Sequence, residues 1–461
     1  MDFEKGSFRD PAAIIFYKFE RVFRKINEQG IDRINYLIDN DLINKSIESE
    51  FLVKSHILNK DEKKKIDINE NYSIVEHERI PYISYPYEWS FQQLKDAAIH
   101  HLNFHIFLLN NGATLIDASA YNIQFIGYKP IFIDLMSIKK YEEGEFWYAH
   151  KQFCENFLNP LILSSKKSIQ FNNWFKGNLE GIQTNDLDNI LSFFDKFSYN
   201  IFVHVYLLNK IDKRFKPQNK KLDFNKQNKF SKKSLLSMLL QLKSYINKLE
   251  PKKNTSKWLN YSTQNSYECK EEISKIDIVS DFVKKNKFSK IADLGCNDGV
   301  YSRTAIKNGC EYVIGFDYDF NSINRAYAFA KKEKSKFLPL IFDATNPSAN
   351  IGWNETERKS FKNRSNFDGI LALAFEHHLS IAKNIPLQDT INWIVSLAPK
   401  GLIEFVPKND ETIQEMIKFK GDIFPDYNEE NFLKLLSKVS KVLSVNQISK
   451  SGRKIFEFER P

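Results

Sequence analysis

No stretch of eighteen consecutive apolar residues occurs anywhere in the 461 residues, which excludes a membrane-spanning helix. The opening Met1-Asp2-Phe3-Glu4-Lys5 lacks the apolar core of a signal peptide. Cysteine is scarce: Cys154, Cys269, Cys296 and Cys310 stand far apart, with no C-x-x-C pair. With no histidine read at ligand spacing, neither a disulfide framework nor a zinc site is expected, no metal is assigned, and the chain reads as cytoplasmic. No internal repeat is visible. Disorder is excluded by what is present: 42% hydrophobic and 27% charged residues suit a folded chain of about two domains.

The net charge of +9 is local. Residues 210–257 hold 15 Lys and Arg against 3 acidic residues, leaving 52 basic and 55 acidic groups elsewhere. The segment reads as a solvated connector with one amphipathic helix around Ser234–Tyr245. A patch for an anionic partner, nucleic acid included, is the alternative reading, weakened by the scarcity of aromatic residues there.

From about residue 268 strands and helices alternate. Lys290–Leu294, Glu311–Asp317, Phe337–Phe342, Phe367–Leu373 and Leu402–Val406 read as strands. Helices are expected at Val300–Lys307, from Asn321, at Asp389–Leu397 and at Asn428–Lys438. Two last strands, Lys441–Gln447 and Lys454–Glu459, read as a hairpin. This predicts a Rossmann-like α/β domain: a mostly parallel seven-stranded sheet with an antiparallel edge hairpin.

Within it, Asp293-x-Gly295-x-Asn297-x-Gly299 ends a strand and opens a helix. Gly295 permits a sharp turn, Gly299 permits close approach, and Asn297 is the side chain best tolerated at positive φ after glycine. Asp317, eighteen residues past Gly299, offers two acceptor oxygens to a ribose diol. A dinucleotide fits that spacing too, but Asp293 and Asp298 would repel a pyrophosphate.

Ile291-Ala-Asp-Leu-Gly-Cys-Asn-Asp-Gly299 and Gly315-Phe-Asp317 resemble the first two motifs of class I S-adenosylmethionine-dependent methyltransferases. The resemblance implies S-adenosyl-L-methionine as cofactor, with Asp293 toward its sulfonium and amino group. It also puts Asp343 near the adenine amino group, with Phe342 and Ala344 packing on the ring. Ala372-Leu-Ala-Phe-Glu-His-His378 then ends the fourth strand beside the transferred methyl, making His377 or His378 the candidate base for an acceptor hydroxyl. Glu404 and Asp410 are further polar candidates, Glu404 as an orienting group.

The first 200 residues read as α+β: a hairpin of Ala13–Tyr17 and Arg21–Ile26, a strand Pro81–Tyr85, a helix Ser90–Asn110, and short strands near 123–126 and 130–134. Asp117-Ala-Ser-Ala-Tyr-Asn122 followed by Asp134 matches the order of a kinase's catalytic Asp, metal-binding Asn and metal-binding Asp. The region thus resembles a reduced kinase-like fold, although the glycine-rich loop, the His-Arg before Asp117 and the Phe-Gly after Asp134 are missing, and Arg24 or Lys25 would replace the lysine.

Arg79-Ile-Pro-Tyr-Ile-Ser-Tyr-Pro-Tyr-Glu-Trp-Ser90 and Asp117–Phe125 resemble a bacterial family in which this region is fused to a methyltransferase, and which includes rhizobial host-specific nodulation proteins. The expected plan is therefore residues 1–205 as a kinase-like or substrate-recognition domain, 206–257 as a basic linker, and 258–461 as the methyltransferase. Trp258, Tyr261 and Tyr267 could wall the acceptor. The expected activity is methyl transfer to a hydroxyl or amine of a glycan or small molecule. A sensor of the cofactor with an inactive kinase-like module, and a dual kinase and methyltransferase binding nucleotide and magnesium at Asp117, Asn122 and Asp134, are the alternatives.

Overall fold

The computed structural model describes residues 2–214, 230–252, 268–418 and 421–460. Trp258, Tyr261, Tyr267, Lys220 and Lys221 fall outside them. The chain divides into two compact units: residues 1–125, 130–254 and 350–358 form the first, and 126–129, 255–349 and 359–461 the second.

The first unit carries a five-stranded antiparallel sheet of β1 (Asp2–Phe3), β2 (Ala13–Lys18), β3 (Arg21–Ile26), β4 (Ser55–Ile57) and β5 (Ser73–His77), ordered β1-β2-β3-β5-β4. The β2–β3 hairpin turns on Phe19 and Glu20, both at positive φ, the backbone that matches the twist of paired strands. The expected strand Pro81–Tyr85 does not form. Pro81 lacks an N–H, and the backbone of Ser84 is taken up by a side chain: its N–H donates to Gln124 Oε1 at 2.9 Å and its carbonyl accepts from Gln124 Nε2 at 3.0 Å.

The helix Phe91–Asn110 starts at a capping box, Ser90 and Gln93 each bonding the other's backbone. It is buried on more than one face, because Lys232–Lys248 packs along it. That second helix is the one expected inside the basic segment; Leu235, Leu239, Leu242 and Ile246 form its buried stripe at helical spacing. Each such side chain is worth ~1.5–3 kcal/mol on burial, which fixes the helix within this unit.

After the long helix come β6 (Ala113–Leu115), β7 (Ile123–Ile126), β8 (Lys129–Phe132) and β9 (Ile138–Lys140), pairing β6 with β9 and β7 with β8. Short helical segments follow, two of them π-helical: Cys154–Leu158 and Phe202–Leu207.

The second unit holds a seven-stranded sheet of β10 (Lys290–Leu294), β11 (Tyr312–Asp317), β12 (Phe337–Ile341), β13 (Gly369–Ala372), β14 (Lys400–Phe405), β15 (Lys441–Gln447) and β16 (Lys454–Glu459). Its order is β12-β11-β10-β13-β14-β16-β15, with β16 running opposite to the other six strands. This is the expected α/β sheet with its edge hairpin. The order reverses beside β10, so the loops after β10 and β13 flank a crevice at the strands' carboxyl ends, where doubly wound sheets bind ligands. One long helix, Glu268–Asn286, precedes the sheet and escaped the sequence reading.

Candidate active site

The turn after β10 is built from three left-handed residues, Gly295 (φ +73°), Asn297 (φ +49°) and Gly299 (φ +86°). Glycine is required at its closing position: a Cβ on Gly299 would lie 2.4 Å from the Phe337 ring. Gly315 on β11 is constrained in the same way, its missing Cβ leaving space filled by Cys296 Sγ and Phe337. The backbone N–H groups of Gly295 and Cys296 both donate to the Phe316 carbonyl, at 2.8 and 3.1 Å, pinning the loop to β11.

Asp317 ends β11 against this loop. Its Oδ2 accepts the Asn297 N–H at 2.8 Å and its Oδ1 accepts the Asp319 N–H at 2.8 Å. The Tyr318 N–H also faces the carboxylate, so it is oriented by backbone while its two oxygens still hold acceptor capacity for a further donor. Burial raises its pKa.

Asp293 precedes the loop on β10. It is 1% exposed, beneath the loop, and its Oδ2 accepts the Ser302 hydroxyl at 2.6 Å. Burial pushes its carboxyl up to about 7, the Asp317 charge adding to that and the Ser302 bond opposing it. It braces the helix that follows the loop. Asp343, after β12, caps its own turn by accepting the Thr345 N–H and hydroxyl at 2.9 and 2.7 Å. Phe342 is committed to an aromatic core, 4.3 Å from Phe361 and parallel to Trp393.

At the end of β13 the chain turns through Ala374, which takes φ +48°. The strain is held by Glu404 on β14: its Oε2 accepts the Ala374 N–H at 2.9 Å. Glu404 is fully buried and is balanced by Lys275 Nζ at 2.9 Å and by Arg453 at 3.7 Å. Arg453 in turn grips Asp410 with two parallel bonds of 2.7 and 2.8 Å. Glu404 and Asp410 thus shape the turn through which the strand reaches His377 and His378.

The two imidazoles lie 4.4 Å apart, centroid to centroid. His377 is buried, and its pKa is lowered well below the ordinary value by that burial, with His378 and Arg453 adding to it. His378 is half-buried and lowered by burial. Both are therefore neutral at pH 7, the form that accepts a proton. Glu376 between them and the strand is fully buried and pushed up to about 8 by burial. The Tyr427 hydroxyl lies 2.5 Å from Glu376 Oε1 and 2.8 Å from the Val406 carbonyl, one hydrogen facing two acceptors. A protonated Glu376 resolves that conflict.

The sequence reading missed Lys275, Arg453, Ser302 and Tyr427. Only Lys275 had a local signal, the Glu271/Lys275 spacing on a helix whose stripe Val279, Phe282, Val283 is buried. It also erred on cysteine: His150 stands four residues before Cys154, and their Nε2 and Sγ meet at 3.6 Å.

In the first unit Asp117, Asn122 and Asp134 do gather. Asp117 is held above its usual pKa by burial and by the charge of Asp134, while a bond from Asn122 opposes the rise. Arg24 of β3 donates to Asp134 Oδ1 at 2.8 Å, and the Ser137 hydroxyl bonds its other oxygen.

No protein-family model matches the chain. The nodulation protein NoeA of Rhizobium meliloti (strain 1021) is 39% identical over 471 residues, spanning 99% of this chain and 95% of that protein. The chain belongs to the NoeA family. Solved structures resembling part of this NoeA-family chain include protein PH0226 from Pyrococcus horikoshii OT3 (16% identity, 45% of this chain and 100% of that one, TM-score 0.32). Others are the N-methyltransferase NodS from Bradyrhizobium japonicum WM9 (14%, 43% and 98%, TM-score 0.31) and magnesium protoporphyrin IX methyltransferase from Synechocystis PCC 6803 with bound S-adenosylmethionine (15%, 43% and 86%, TM-score 0.31).

Proposed function

We propose that the second unit binds S-adenosyl-L-methionine and transfers its methyl group to a hydroxyl, or an amine, of a glycan or small-molecule acceptor. The observation that carries the reading is Asp317: a carboxylate fixed by backbone N–H groups at the switch point, with acceptor capacity left for a ribose hydroxyl. The cofactor supplies an electrophilic methyl on a sulfonium. The protein's part is positioning and exclusion of water, with one base where the acceptor is a hydroxyl. Gly295, Asn297 and Gly299 form the cradle, Asp293 braces it, and Asp343 borders the adenine side. His378, the more exposed of the pair, takes the acceptor proton, while His377 supports it from beneath.

The first unit is read as a reduced kinase-like domain that recognises or presents the acceptor. In support, both oxygens of Asp134 are already occupied, by Arg24 and Ser137, where a kinase would hold magnesium. The glycan-type acceptor rests on kinship with a nodulation protein.

Two measurements test this. Incubation with S-adenosylmethionine and an extract of candidate acceptors should yield S-adenosylhomocysteine. Asp317→Ala should lose charge-assisted bonding of ~1.5–3 kcal/mol per bond, weakening cofactor binding at least tenfold by calorimetry while the fold persists. Unchanged affinity would remove Asp317 from the ribose and the reading with it.

A further inference from the structure

Three metal-ligating side chains that the proposed reaction does not use converge inside the helical half of the first unit. His150 and Cys154 are four residues apart on one helical face, at the junction where the chain passes into the π-helical segment Cys154–Leu158. His204 comes from the second π-helical segment, Phe202–Leu207, fifty residues away in the chain. His150 Nε2 lies 2.9 Å from His204 Nδ1 and 3.6 Å from Cys154 Sγ, and all three donor atoms fall within 4.8 Å of one another. Insertions of this π-helical kind in α-helices favour functional sites, because they re-aim a side chain.

We propose that His150, Cys154 and His204 bind a zinc-class divalent cation. The geometry is close to what such an ion needs. Bonds of about 2.05 Å to nitrogen and 2.3 Å to sulfur in a tetrahedron put N and S about 3.6 Å apart and two nitrogens about 3.4 Å apart. The His150–Cys154 edge already has that length, the His150–His204 edge opens to its own by a small ring rotation, and the His204–Cys154 edge lies within 4.8 Å. The donor set, two imidazoles and one thiolate, is the borderline-soft mixture that zinc takes in preference to magnesium or calcium. The surroundings select for it too: Cys154 is fully buried and His204 nearly so, and Trp147 packs against His150 at 5.7 Å between ring centroids.

Unloaded, the cluster is poorly satisfied. Among the described residues the two imidazoles share one hydrogen bond, and the Cys154 thiol lies against the same His150 nitrogen. Binding would displace the thiol proton to solvent and replace that arrangement with three metal bonds, leaving the fourth position to a water or a small ligand. The ion would staple residues 150–158 to residues 202–207. Both segments lie in the first unit, so the site is independent of the methyl-transfer reading.

The test uses the full-length chain, stripped with a chelator and titrated with Zn²⁺ alone against a competing chromophoric chelator. One Zn²⁺ per chain is expected at sub-micromolar affinity, with a concentration-dependent rise in melting temperature. Cys154→Ser and His204→Gln should each weaken binding by ~100-fold or more, with circular dichroism confirming that they fold. X-ray absorption on the unmodified zinc-loaded protein needs no variant: it should show one sulfur near 2.3 Å and nitrogens near 2.0–2.1 Å. Substoichiometric binding, an oxygen-only shell, or folded variants that bind as tightly as the parent would each overturn the site.

Discussion

Glu376→Gln isolates the buried carboxyl under the histidine pair. In the parent chain Glu376 lies at full burial, with its oxygen 2.5 Å from the Tyr427 hydroxyl and the Val406 carbonyl competing for the same hydrogen. Burial pushes its pKa from the usual 4.5 to about 8. The folded state therefore binds a proton that the unfolded chain releases, and the sign follows: stability is greatest below the unfolded pKa, and falls as pH rises toward about 8. At 1.36 kcal/mol per decade the loss is at most ~4–5 kcal/mol. Glutamine reproduces the protonated acid, donating an amide N–H where the carboxyl donated its proton, and it does not ionise.

Urea denaturation at closely spaced pH values from 5 to 9 reads the effect. The two proteins should be nearly equal at pH 5, and the variant should be the more stable by several kcal/mol at pH 9. Asp293, raised to about 7, tilts both curves in the same sense and leaves a residual slope in the variant. Parallel curves, or a variant weaker at pH 9, would mean that Glu376 is ionised in the fold and that the Tyr427 geometry has another cause.

Gly299→Ala should destabilise by ~2–4 kcal/mol, combining the left-handed backbone cost with overlap against Phe337, and differential scanning calorimetry would show it. His378→Asn should cost ~10²–10⁴ in turnover with little change in cofactor affinity, and the parent's rate should rise with pH through an apparent pKa below the usual histidine value; an unchanged rate would assign the chemistry to positioning alone. Neutralising Lys220, Lys221, Lys232 and Lys233 should leave methyl transfer intact at moderate salt, whereas a steep, salt-sensitive loss would point to an anionic partner.

The α/β sheet was legible because its strands are short apolar runs closed by Gly, Asn or Asp, a pattern that survives without knowledge of neighbours. Val300–Lys307 and Lys441–Gln447 begin and end where the residues indicated. The helix Glu268–Asn286 was not, since it is charged along most of its length and only a narrow stripe is buried. Pro81–Tyr85 looked like a strand because aromatic residues favour one, and only the distant Gln124 side chain decides otherwise. Gly295, Asn297, Gly299 and Asp317 sit on one loop and one strand end, so their spacing is visible in the sequence. The residues that hold the turn after β13 come from the helix Glu268–Asn286, from β14 and from the loops that carry Asp410 and Arg453, and no spacing records their meeting.

That turn bears on the proposed base, because an imidazole that is to take the acceptor proton must reach it uncharged. Glu404, alone in the sheet interior, would be prohibitively costly; Lys275 and Arg453 offset its charge, and Glu404 in exchange fixes the strained Ala374. The same two cations face His377 and, together with its burial, hold its ring neutral. A neutral imidazole of lowered basicity does not strip a hydroxyl in advance. In the proposed reaction it would accept the proton only as the oxygen commits its lone pair to the incoming methyl, so that proton and methyl move together. Under the proposed reaction the network that shapes the turn also sets the order of events, and loosening it through Glu404→Gln should disturb fold and rate at once.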